Sequence, residues 1–516
     1  MAPKASSISR SDAFKRWAIG FLLPLSGCVV GPDYHAPDMP MPVRFAEAPA
    51  GSPKSVDADA IAEWWKGFGD TQLDDLVTRA LAANPDMQIA ASRARAARLQ
   101  EIVAGAPFWP TVSASGAAER TRLSTNEIST GGLSLLQPGN GGSATAPGIA
   151  ALGLPGNTFN IFQIGFDATW QLDFFGRTRR DVEAAKASTT AQIWRLRDTE
   201  VSLAAEVAGT YLGMRFTDER ARIARSELAR LQETLHLLEV RAGGGLVNQL
   251  DVRQQETEVA STAAGIPLLE AQERAQAHAL AVLLGQSPEE FRLTLPDGAI
   301  PLGPRDVPVG LPSNLLRRRP DIRQAERELA SATAKIGVAV ADLYPQFSLT
   351  ASPSLASTTL RNLASIDSGG YSLGASVLWP IFNGGQTRAN IDIAKETQRQ
   401  ALTRYRKTVL TALKEVDDAL SNLAHDQQRL TALEQSAASA ESAERLAREQ
   451  YQGGLVDFSR VLSAEGMHLS ADDDLIQGRA AVAQDWVALY KALGGGWRDE
   501  ELTQSGQTPP SPAPRE

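Results

Sequence analysis

The chain has 516 residues, enough for two to four ordinary domains, but its 43% apolar fraction leans on alanine and only 6% of residues are aromatic. A net charge of −9, with no lysine- or arginine-rich stripe, makes a poor nucleic-acid binder. No clean apolar run of about 18 residues occurs, so no transmembrane helix is predicted.

The first residues read as an export signal. Lys4, Arg10, Lys15 and Arg16 form a basic start and "WAIGFLLPL" (Trp17–Leu25) a short apolar run. "LSGC" follows, ending in Cys28, the only cysteine of the chain. Leu25-Ser26-Gly27-Cys28 resembles a bacterial lipobox, which makes Cys28 the candidate for N-palmitoyl and S-diacylglycerol modification. A lone thiol in an exported chain also leaves nothing for an internal disulfide. Residues 1–27 carry a net +3, so their removal takes the charge from −9 to −12.

Residues 28–60 are proline-rich and predicted to be an extended linker. Beyond them the chain superimposes on itself. Asn84-Pro85-Asp86 recurs as Arg319-Pro320-Asp321, and Trp109-Pro110 as Tyr344-Pro345, both 235 residues on. Trp170 recurs as Trp379, Thr178-Arg179 as Thr387-Arg388, Lys186 as Lys395, and "GGLV" (Gly244–Val247) as Gly453–Val456, all 209 residues on. The difference of 26 falls in a glycine-rich, almost uncharged interval between Pro110 and Trp170. The sequence is therefore a tandem duplication, residues 61–300 and 301–500, with a longer loop in its first copy and a disordered tail at 501–516.

Each copy has the same order. A helix over Thr71–Ala104 or Pro312–Ala341 comes first, then a proline-marked break and two strands, at about 111–123 and 160–171 or about 346–359 and 369–382. Phe162, Ile164, Phe166, Ala168 and Trp170 alternate with polar or small residues, as do Tyr371, Leu373, Ala375, Val377 and Trp379. Period two means one apolar and one polar face. Four strands close no barrel alone, so a membrane barrel would need several chains, with Trp170, Tyr371 and Trp379 as an aromatic girdle. Two long helices follow in each copy, joined by a tip at about 243–249 or 452–458 that contains GGLV. The 65 proline-free residues from Thr178 and the 66 from Thr387 could each run about 100 Å, with small residues forming narrow seams.

"VGPDY" (Val30–Tyr34), "WWKGFGDTQLDDLVTRALAANPDMQIA" (Trp64–Ala90), "RRPDIRQAERELASATAKIGVAVADLYPQFSL" (Arg318–Leu349), "FNGGQTRANI" (Phe382–Ile391) and "ALGGGW" (Ala492–Trp497) resemble outer-membrane efflux lipoproteins of the TolC superfamily, OprM/NodT type. The resemblance implies a mainly α fold with membrane β: a tandem-duplicated protomer of a trimeric 12-stranded β-barrel joined to a long periplasmic α-helical barrel. It also implies a homotrimer in outer-membrane lipid, a periplasmic adaptor, and an inner-membrane pump of the resistance–nodulation–division class. On that reading Gly245, Leu246, Val247, Gly454, Leu455 and Val456 form the adaptor-docking tips. Asp251, Arg253, Asp457 and Arg460 are aperture candidates, although Arg460 and Ser463 stand where the TolC-like motif has aspartates. No enzyme, cofactor or metal is expected, since the five histidines have no ligand spacing and no nucleophile motif or phosphate loop occurs. A type I secretion duct and, from another class, a periplasmic adaptor are the alternatives. The lipobox and "GPDY" lean toward small-molecule efflux.

Overall fold

A computed structural model describes residues 29–48, 61–122, 158–296, 300–304 and 310–498. The expected signal, Cys28, most of the glycine-rich interval and the 501–516 tail lie outside the described residues. The chain divides into two compact units. One holds Met1–Ala36, Ala97–Thr189 and Glu328–Ala401, and the other Pro37–Ala96, Thr190–Arg327 and Leu402–Glu516.

Among the described residues the first unit contains four strands, β1 (Thr111–Arg122), β2 (Thr158–Leu172), β3 (Gln346–Ser357) and β4 (Gly369–Leu378), in one antiparallel sheet of order β1-β2-β3-β4. The register lines up Val112 with Ala168, Ala168 with Ala351, and Ala351 with Leu373. Trp170, Leu349 and Ala375 likewise share a row. Alternation thus collects Ile164, Phe166, Trp170, Leu355 and Leu373 on one face, and Gln163, Asp167, Ser348, Thr350, Ser352 and Ser376 on the other. β4 is exposed along its whole length within the single chain. It ends at Leu378 rather than near 382, because Pro380 has no N–H for a ladder and turns the chain away. Among the described residues no helix is long and apolar enough to cross a membrane.

The helices depart from expectation in one respect. Thr71–Ala104 is not one helix but two, α1 (Thr71–Ala83) and α2 (Pro85–Gly105), and the second copy splits into α5 (Pro312–Arg318) and α6 (Pro320–Ala341). The breaks fall on Asn84 (ψ 133°) and Arg319 (ψ 117°), each pushed out of the α region by the proline behind it. Both buried side chains then do the same work. Asn84 Nδ2 donates to Leu283 O at 2.9 Å, and Arg319 Nη1 to Ala492 O at 2.9 Å. Leu283 and Ala492 are the last residues of α4 (Gln249–Leu283) and α8 (Phe458–Ala492), so each break caps the end of its own copy's return helix.

The long helices α3 (Arg177–Gly243) and α7 (Gln386–Gln452) are each 67 residues, about 100 Å. Their buried positions mix small residues, such as Ala204, Ala208 and Ala412, with larger ones, such as Tyr211, Leu212 and Leu423. In the second unit they join a core around Trp64, Trp65, Leu73, Leu76, Tyr211, Trp486 and Tyr490. Trp64 stacks on Tyr490 at 5.2 Å, Gly496 N donates to Ile61 O at 3.1 Å, and Trp497 Nε1 to Arg318 O at 3.1 Å. The "WWKGF", "RRPD" and "ALGGGW" stretches, far apart in sequence, therefore meet in one cluster. Asp70 opens α1 by accepting from Gln72 N and Leu73 N, and its other oxygen takes Tyr211 Oη at 2.8 Å and Arg215 Nη1 at 2.9 Å.

Candidate functional site

Glycine closes both hairpins in the same way. Gly245 and Gly454 each have φ +72°, which an L side chain rarely adopts. Around the first, Gly245 N donates to Ala242 O and Leu246 N to Arg241 O; around the second, Gly454 N donates to Tyr451 O and Leu455 N to Gln450 O. This pair of bonds is a Schellman closure, and the residue after each glycine is a leucine. Leu246 is 78% exposed and Leu455 77%. Val247 and Val456 behave differently: both are half-buried. Val247 packs on a tip cluster of Leu238, Val252, Phe458 and Val461, drawn from both hairpins. The outward apolar surface is thus the leucines, and Val247 holds a tip together. Leu250, absent from the tip residues expected above, is also exposed beside the first tip. Its counterpart 209 residues on is Ser459, so the repeat gave no signal for it.

The four aperture candidates sit just beyond these turns. Asp457 occupies the N-cap position of α8 without capping it through its side chain, and Asp251 lies in the first turn of α4, where a carboxylate favours the helix N-terminus. Arg253 pairs with Glu256 at 2.6 Å, three residues along its own helix, and Arg460 is exposed. Among the described residues no ion pair joins the four to one another.

A partly buried polar network lies farther along the hairpins. Arg448 on α7 donates to Glu465 Oε1 on α8 at 2.7 Å and lies 2.9 Å from Glu444, and Arg230 on α3 reaches Glu444 at 3.4 Å. His468 also contacts Glu444, and its other nitrogen lies 3.4 Å from Asp472. Burial pushes the Glu465 carboxyl up, with Arg448 opposing it. Nearer the start of the core, burial and the neighbouring Asp426 push Asp485 up to about 7. Such charges read in sequence as a solvated helix face, and only helix pairing reveals which are enclosed.

At the sheet, Trp170 and Trp379 are 37% and 56% exposed and Tyr371 81%. Their indoles are fixed alike: Trp170 Nε1 donates to Phe108 O and Trp379 Nε1 to Leu343 O, both at 3.0 Å. Phe108 and Leu343 are themselves repeat equivalents, 235 apart. Each indole nitrogen is thereby satisfied while its ring stays partly exposed.

A sheet with one apolar and one polar face, whose two strand pairs are each followed in sequence by a long glycine-closed helical hairpin, fits the α-barrel/β-barrel class of outer-membrane channel. The family described as outer membrane efflux protein matches residues 76–286 and 311–495, and the chain belongs to it, within the TolC superfamily. It is 35% identical to the pyoverdine export outer membrane protein OpmQ of Pseudomonas aeruginosa, over 86% of this chain and 89% of that one. It is 33% identical to nodulation protein T of Rhizobium leguminosarum bv. viciae, over 94% of both. The solved outer-membrane channel OprN superposes with a TM-score of 0.79 at 34% identity, covering 91% of this chain and 100% of that one.

Proposed function

We propose that three copies of this chain assemble into the passive exit duct of a tripartite efflux system, receiving small molecules from an inner-membrane pump of the resistance–nodulation–division class through a periplasmic adaptor. The observation that carries this reading is the repeat itself: two identically closed hairpin tips, each presenting an exposed leucine, and four strands with an apolar face that one chain leaves uncovered. Three such sheets side by side supply twelve strands, remove every free edge, and put the apolar face toward lipid. Trp170, Tyr371 and Trp379 form the girdle of that barrel, and acylated Cys28 tethers the chain to outer-membrane lipid. Gly245, Leu246, Val247, Gly454, Leu455 and Val456 make up the docking tips, with the leucines in contact and the valines in support. Asp251, Arg253, Asp457 and Arg460 line the narrow end, where threefold repetition brings together charges that one chain keeps apart. The two repeats occupy 61–300 and 301–500, behind a linker at 28–60. Relatives whose names refer to pyoverdine and to nodulation leave the cargo open.

Deleting the chain from its host tests this. Loss of the exit should raise retention of a fluorescent amphiphilic dye, and the restored full chain should reverse it. Unchanged retention across a panel of dyes and antibiotics, with the protein present in outer-membrane trimers, would overturn the small-molecule reading.

A further inference from the structure

The two copies are not equal where the N-terminal segment runs. In the first copy, α3 begins Arg177-Thr178-Arg179-Arg180; in the second, α7 begins Gln386-Thr387-Arg388-Ala389. By the 209-residue spacing Ala389 stands for Arg180, and by the 235-residue spacing Ile102 stands for Gly337. Ala389 and Ile102 are both exposed. Arg180, by contrast, is only 4% exposed, and its guanidinium bonds to residues 30–33 and to its own helix. Its Nε donates to Val30 O at 3.1 Å, Nη2 to Gly31 O at 3.2 Å and Asp33 Oδ1 at 2.7 Å, and Nη1 to Glu183 Oε2 at 2.7 Å.

Two glycines make room for this. Gly31 (φ +92°) lies backbone to backbone on Gly337: a Cβ on Gly31 would come within 2.4 Å of the Gly337 Cα. A Cβ on Gly337 would strike the Arg180 side chain at 2.8 Å. On the other side Val29 covers Gly176, where a Cβ would meet it at 2.9 Å, while the repeat equivalent Gly385 has nothing within 4 Å. Val30 N donates to Phe175 O at 3.2 Å, and the Phe175 ring is stacked on Tyr344 at 4.6 Å. The segment is therefore gripped at Val29, Val30, Gly31 and Asp33, four residues or fewer from the end of β2 at Leu172 on the strand side of the grip.

We propose that Arg180 and Gly337 are positioning residues of an anchor clasp, which seats Val29–Asp33 at the helix-side end of β2 and so fixes where the acylated cysteine enters the membrane. The inference rests on the reading of Cys28 as the lipid site. Cys28 is joined in sequence directly to Val29, the first clasped residue. The acyl chains then start at the level where the strands leave the helices, which is where lipid headgroups meet a barrel. The departures from internal symmetry at 180 and 337 exist because only one of two equivalent grooves receives an N-terminus.

The test uses the full chain in its host. Arg180→Ala and Gly337→Ile, the latter borrowing the first copy's own residue, are compared with wild type and Arg180→Lys. Amide exchange over residues 30–33 should accelerate about tenfold or more in the first two variants and by less in Arg180→Lys, which keeps a charge but not the fork. Pulse-chase appearance of heat-modifiable trimer should be several-fold slower in the same two, in the same order, with palmitate incorporation retained. Unaltered exchange in both variants overturns the clasp, as does accelerated exchange with trimer appearing at the wild-type rate. Failure of wild type to incorporate palmitate refutes the acylation reading instead, and the exchange result still decides whether the segment is clasped by Arg180.

Discussion

Replacing Leu246 or Leu455 with aspartate separates docking from folding. Each side chain is more than three-quarters exposed, so neither supports the hairpin that carries it. A charge at such a place changes stability by no more than about 0.5 kcal/mol. In a docked complex the balance differs. Burying one leucine contributes about 1.5–3 kcal/mol, and in the proposed trimer each substitution removes it three times, roughly 5–9 kcal/mol before ordering costs are set against it. An aspartate must also be desolvated. Even if most of this is offset, affinity should weaken about 100-fold or more, the equivalent of ~2.7 kcal/mol. The assay is surface-immobilised trimer binding the adaptor recovered by photo-cross-linking from position 246, run beside thermal unfolding of the same preparation. Val247→Asp is the contrast. It places a charge against Leu238, Val252, Phe458 and Val461, so it should lower the unfolding temperature as well. Wild-type binding by Leu246→Asp and Leu455→Asp, or a loss of stability in them equal to that of Val247→Asp, would refute the assignment of the leucines to docking.

The other expectations concern enclosed charge and the anchor. Asp70→Asn removes the carboxylate facing Arg215 in a pair whose side chains are 8% and 5% exposed, and should cost about 3–5 kcal/mol, read as a clear fall in unfolding temperature. Glu63→Gln, which loses the more exposed pairs with Lys66 and Arg498, should shift it little. Asp485, held protonated to about 7 chiefly by burial and then by Asp426, favours the folded state at low pH. Its proton is retained in the fold and released on unfolding above about pH 4, so stability should fall as pH rises from about 4 to about 7. Asp485→Asn should flatten that dependence, by about 1–2 kcal/mol once solvent screening is allowed for, as seen in denaturant midpoints at pH 5 and 8. Cys28→Ser should abolish labelling by radioactive palmitate, and persistent label would refute the lipobox assignment.

The strands were legible because alternation over Phe162–Trp170 and Tyr371–Trp379 is a local signal, and the register then keeps each strand's apolar residues on one face. The tips were legible because GGLV occurs twice and glycine has a single cheap use at a helix end. Helical composition that continues across Asn84 and Arg319 hid the breaks there, although the following prolines marked them. The inward half of the tips was hidden for another reason: Val247 rests on Phe458 and Val461, more than 200 residues away, and no local pattern carries that contact. The enclosure of Glu465 by Arg448, and of Asp70 by Arg215 and Tyr211, is likewise a product of helix pairing. Arg180 and Gly337 were visible as mismatches between the copies, but the mismatch acquires meaning only once the path of Val29–Asp33 is known.

Native mass spectrometry of the protein released in detergent from outer-membrane fractions bears on all of this at once. Three lipid-bearing mature chains in a single particle, dissociating only on heating, is the predicted result. A lone polypeptide that stays dissolved after the detergent is withdrawn would mean that the uncovered sheet needs no neighbours, and no channel would be left to explain.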